Sequence, residues 1–107
     1  MKLSWKKRFG VALRQERRAH ERLKWAERPT ATALERVKAE ADHKKAMKAL
    51  HDRVNPLIVY YLKRRDAKTL GELAEVLKGT VEAFYCYQAV ETINAENELA
   101  AHGVPVS

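Results

Sequence analysis

Between Ser4 and Pro29 the chain reads SWKKRFGVALRQERRAHERLKWAERP. Positions 5, 9, 12, 16, 19, 23 and 26 hold Trp, Phe, Ala, Glu, Ala, Leu and Ala, in alternating steps of four and three residues. That rhythm puts side chains along one side of an α-helix, the seam by which helices pack on one another. Leu13 and His20 flank the seam, and Glu16 interrupts it. A helix with such a stripe packs on another element, so this stretch dictates a helix-on-helix fold. Ser4 is placed to cap its start, and the helix must stop near Arg28, because the residue before Pro29 is pushed out of the α region.

The rest of the chain agrees. Of 107 residues, 46% are apolar and 33% charged, with only 4 Gly and 3 Pro. A chain rich in Ala, Leu, Glu, Lys and Arg and poor in helix breakers predicts an all-α fold. The length suits one domain, residues 1–107. The one cysteine, Cys86, excludes an intrachain disulfide and a Cys-based zinc site. No apolar run approaches the ~20 residues of a membrane span, and the basic N-terminus lacks the apolar region of a secretory signal. A cytoplasmic protein is expected, or a virion-associated one if the chain belongs to a larger assembly.

About five helices are predicted, arranged as a basic helical arm over residues 4–54, a compact core over 55–102 and a tail over 103–107. Thr32 and Glu35 have the spacing of a capping box that starts the second helix. Its apolar residues fall into two groups, Leu34, Val37 and Ala41, then Met47, Leu50 and Val54 on a different face. Asn55 and Pro56 read as the cap and first residue of a third, short helix through PLIVYYL, ended by Lys63, Arg64 and Arg65. That run is also rich in β-branched and aromatic residues and leaves a strand open. Thr69 and Glu72 read as a second capping box, with Leu70, Leu73, Ala74 and Leu77 as the buried face. Gly79 suits a left-handed turn. Thr80 then caps a long helix with Cys86, Ala89, Val90 and Ile93 at core spacing, ended by Gly103 and Pro105. The two helices over 69–101 form a tight hairpin.

Residues 69–93, TLGELAEVLKGTVEAFYCYQAVETI, are similar to the helix-turn-helix of DNA-binding proteins. Leu73, Ala74 and Leu77 stand in the first helix, Gly79 at the turn, and Phe84 where an apolar residue holds the second helix. The resemblance implies that the second helix would read the major groove. Its first two turns offer Glu82, Tyr85, Tyr87 and Gln88, and no Lys or Arg follows Lys78. A groove reader without cations repels phosphate, so the segment reads as a hairpin of the core.

Charge is polarised along the chain. Residues 1–28 hold ten Lys and Arg against three Glu, whereas residues 79–107 hold no Lys or Arg and four Glu. The pI is near 9.7. Opposite the seam of the first helix lie Lys7, Arg14, Arg18 and Arg22, with Trp25 among them. Guanidinium groups at helical spacing can neutralise successive phosphates, and an indole can stack on a base or on Arg22. Lys6, Arg8, Lys44, Lys45 and Lys63 to Arg65 would add to that field.

The function expected is a small non-enzymatic helical binding protein that contacts nucleic-acid phosphates without reading sequence. The alternative is a structural or regulatory subunit of a larger protein assembly, a virion component or an inhibitor of a host machine, docked through Trp5, Phe9, Leu13 and Leu23. The opposite charge of the two ends also suits a homo-oligomer. A membrane surface is disfavoured, since Glu16, Glu21 and Glu27 dilute the later turns of the first helix. Glu40 and His43 have the i, i+3 spacing of di-iron bundles, but no second such pair exists, and they read as a surface pair. Glu16 and His20 read as a polar spot at the edge of the stripe. Cys86 reads as a small buried hydrophobe. No catalytic residue, metal ligand, cofactor or small-molecule substrate is expected.

Overall fold

The computed structural model describes residues 3–103. Residues 104–107 of the predicted tail lie outside them. Four α-helices follow one another, α1 (Leu3–Ala26), α2 (Ala33–Lys63), α3 (Ala67–Val76) and α4 (Val81–Ala101), with no strand among the described residues. The chain divides into two compact units between Val54 and Asn55.

In the first unit α1 and the first two-thirds of α2 run antiparallel as a helical hairpin. Three side-chain contacts fix the register. His43 reaches Glu16, Arg53 donates to the Arg8 carbonyl at 3.4 Å, and Arg28 pairs with Glu35 at 2.8 Å. The predicted seam is the buried face of α1: Trp5, Phe9, Ala12, Glu16, Ala19 and Ala26 are buried, as is Leu13 beside them, and Leu23 is half-buried. The arm is therefore a paired structure. The Glu35 backbone N–H donates to Thr32 Oγ1 at 3.1 Å, which is one half of the predicted capping box. The other half is replaced, because the Glu35 carboxylate turns to Arg28.

Two expectations for α2 are corrected. Leu34, Val37 and Ala41 are exposed, Leu34 by 78%, so they form no buried face, whereas Leu50 and Val54 are buried. The proline does not start a helix either, since α2 continues through Pro56 to Lys63. The count among the described residues is thus four helices, and residues 56–62 are helical. An interior proline removes one i to i−4 bond and crowds the preceding turn, at about 3 kcal/mol. The carbonyl it deprives belongs to Asp52, an exposed residue that water can serve, and continuing the helix buries Val54, Leu57 and Ile58 around it.

In the second unit α3 and α4 pack on each other. Leu70, Leu73 and Ala74 of α3 and Leu77 at its C-cap are buried, as predicted. So are Cys86, Ala89 and Ile93 of α4, with Val90 half-buried. The cap of α3 is Asp66 rather than Thr69. Its carboxylate accepts from the Thr69 backbone N–H at 3.0 Å and from the Thr69 hydroxyl at 2.6 Å, so the threonine is the capped residue. Gly79 has φ +89°, the left-handed conformation foreseen for the turn. Thr80 stands at the N-cap of α4, but its hydroxyl donates back to the Leu77 carbonyl at 2.7 Å. Phe84 is 59% exposed, so it does not hold α4 to the hairpin in the way the helix-turn-helix resemblance implies.

Candidate functional site

The face of α1 opposite the seam presents Lys7, Arg14, Arg18 and Arg22, all exposed, with Trp25 68% exposed and Val11 among them. The residues that bury α1 also aim these cations outward, since a side chain about half a turn from a buried one must face solvent. Arg14, Arg18 and Arg22 follow at intervals of four residues, a rise of about 6 Å each. No ion pair of the described residues engages Lys7, Arg14, Arg18 or Arg22. Their charge is therefore not neutralised within the hairpin.

At the turn end of the hairpin, Arg22 and Trp25 line a shallow depression with Arg28 and, from α2, Glu35, Lys38 and Asp42. Arg28 lies over the Trp25 ring at 4.4 Å, donates to the Trp25 carbonyl at 2.9 Å and also holds Glu35. The cation stacked on the indole is therefore Arg28 and not Arg22. One ring face is occupied by that contact, and the side chain remains largely open to solvent. At the other end Lys7 and Arg8 border a hollow with Phe9, Gln15 and Arg53.

The supporting cations are not equivalent. Lys6, Lys44 and Lys45 are exposed. In the second unit Arg64 stacks over Tyr60 at 3.8 Å, and Arg65 pairs with Glu96.

The predicted docking stripe is not a free surface. Trp5 and Phe9 are 1% exposed, Leu13 is buried and Leu23 half-buried, so a partner could reach them only by opening the fold. The physical reason is that the seam is satisfied inside the chain. Cys86 is fully buried as well, and that burial, followed by the neighbouring Glu82 carboxylate, pushes its thiol up to about 12. A thiol so held is protonated at neutral pH and a poor nucleophile.

One constellation was not visible along the sequence. Glu16, 3% exposed in the middle of the seam, accepts a hydrogen bond from Nε2 of His43 at 3.0 Å. His20, one turn along α1, brings Nδ1 to 3.8 Å from the same carboxylate oxygen. The two imidazoles meet edge-on, with ring centroids 5.1 Å apart. The Glu16 and His20 pair is thus buried on its carboxylate side rather than a spot at the stripe's edge, and His43 belongs to it rather than to a surface pair with Glu40. A signal existed: reflecting an antiparallel hairpin about the Pro29 and Thr30 turn carries position 16 onto position 43.

No known protein family, curated protein or solved structure matches this chain. Among the described residues no helix is long and apolar enough to cross a membrane.

Proposed function

We propose that the chain is a non-enzymatic helical binding protein whose α1 face, Lys7, Arg14, Arg18 and Arg22 with Trp25 at its end, binds nucleic-acid phosphates without reading sequence. The observation that carries this reading is the row of exposed cations along one helix, engaged by no ion pair among the described residues. The backbone that carries the row is already ordered as a helix, so meeting a polyanion costs side-chain freedom but little backbone freedom. Release of condensed counterions then supplies the driving force. Trp25 adds a stacking surface suited to single strands, which accept aromatic platforms whatever their bases. Anisotropy of a labelled duplex and a labelled single strand at low salt tests it. Similar affinity for unrelated sequences, lost in the Arg14/Arg18/Arg22→Ala chain, is the expected result, and absence of binding by the unaltered chain overturns it.

A second reading, a structural or regulatory subunit of a larger protein assembly, draws support from a different observation. Leu34 and Val37 stand exposed at i, i+3 on α2, 78% and 63%, and neighbouring exposed apolar side chains are the kind of surface a protein partner covers. Binding that survives high salt and is lost in Leu34/Val37→Ser would favour this reading over the first.

A further inference from the structure

We propose that Glu16, His20 and His43 form a binding site for one divalent transition-metal ion of the zinc class. The three donor atoms, one carboxylate oxygen and two imidazole nitrogens, lie within 4.8 Å of one another. A tetrahedral ion with bonds of about 2.0–2.1 Å spaces its donors roughly 3.3 Å apart. Glu16 Oε1 is already 3.0 Å from His43 Nε2 and 3.8 Å from His20 Nδ1. The two imidazole donors lie within 4.8 Å of each other, so closing the site asks them to approach by up to about 1.5 Å, a movement within reach of side-chain rotation.

The donor set selects the ion. Two imidazoles with one carboxylate suit Zn2+, Co2+ or Ni2+, whereas Mg2+ and Ca2+ take oxygen ligands. Glu16 and His20 come from successive turns of one helix and His43 from the facing helix, so an ion bound here would tie α1 to α2. The placement of Glu16 points the same way. A carboxylate 3% exposed between Ala12 and Ala19, themselves buried, is costly unless compensated. A dication held between the carboxylate and the two imidazoles would supply such compensation.

On binding, His43 Nε2 gives up the hydrogen it shares with Glu16 and carries its proton on Nδ1 instead. Three protein ligands leave the fourth position to water, and the half-exposed side of the cluster at His20, 40% open, is where that water would sit. This inference stands apart from phosphate binding, which uses the opposite face of α1.

The test is titration of the chelator-stripped full chain with Zn2+ by calorimetry and with Co2+ by visible absorption. One ion per chain is expected, with d–d bands for Co2+, a thermal midpoint raised by Zn2+ and restored by chelator, and no effect of Mg2+. His20→Gln removes one ligand at a half-exposed side chain, and its own metal-free midpoint is the reference for any rise that Zn2+ produces. Loss of a ligand must cost at least as much as loss of an outer hydrogen-bonding partner, so its affinity should fall by about tenfold or more. Glu16→Gln keeps an acceptor for His43 and should weaken binding likewise. Absence of saturable Zn2+ binding by the unaltered chain, or undiminished binding in both variants, overturns the proposal.

Discussion

The two hairpins of this chain solve the same packing problem in different ways. In the α3 and α4 hairpin the inward positions are mostly apolar, Leu70, Leu73, Ala74, Leu77, Cys86, Ala89 and Ile93, with the Glu82 carboxylate buried near the start of α4. In the α1 and α2 hairpin the middle of the seam is a carboxylate held by an imidazole from the facing helix. Apolar burial is tolerant of register, because one aliphatic contact replaces another. A buried hydrogen-bonded pair is not tolerant, since sliding the helices strands both groups. The first hairpin thus has its register defined by the Glu16 and His43 pair and presents Lys7, Arg14, Arg18 and Arg22 on the outside, whereas the second is held mainly by apolar contact.

Breaking the interior of α1 should have the largest effect. Phe9→Ala removes a fully buried ring and should cost about 3–5 kcal/mol in chemical denaturation. Exposed Arg14→Ala on the same helix should stay within about 0.5 kcal/mol. A Phe9→Ala chain that kept full stability would return Phe9 to the role of a docking residue. Sharpening the contrast between interiors comes next. His43→Ala strands the Glu16 carboxylate and should cost about 1–3 kcal/mol, whereas Glu16→Leu with His43→Leu should be near neutral. Equal losses in both would show that packing, not the polar pair, holds this level of the hairpin.

In the second hairpin Asp66→Ala removes the cap of α3 and should lower stability by about 1 kcal/mol. Thr69→Val, which keeps the backbone N–H that Asp66 accepts from, should cost less. The smallest effect on stability at neutral pH belongs to the Cys86 thiol. Its pKa is raised on folding from 9.0 to about 12. A raised acid contributes its stabilisation below the unfolded value and loses it as pH rises through the folded one, so this contribution fades between about 9 and 12. Alkylation at pH 8 should proceed in denaturant and stall in the native chain. Rapid labelling of native protein would show that α4 opens.

Wherever a regular stripe decides burial, the sequence was readable. The seam of α1 and the inward faces of α3 and α4 follow from spacing alone. Elements governed by local competition were not. Pro56 carries every mark of a helix start, yet burial of Leu57 and Ile58 outweighs one lost hydrogen bond. Asp66 outcompetes Thr69 as a cap because a carboxylate accepts two bonds there. Leu34 and Val37 follow helical spacing on a face that the structure leaves exposed. The outward placement of Lys7, Arg14, Arg18 and Arg22 was legible as the complement of the seam. Stacking of Arg28 on Trp25 and the meeting of Glu16 with His43 needed the turn and register of a second helix.

The most direct test of the phosphate-binding face is the salt dependence of duplex affinity, measured for the unaltered chain and for Arg14/Arg18/Arg22→Ala. Each phosphate contact contributes about 0.9 to the slope of log affinity against log salt. A steep slope that falls in the variant, by up to about 2.7 if all three arginines reach phosphates, is the predicted result. An equal slope for both chains would contradict it and leave α1 as a solvated exterior.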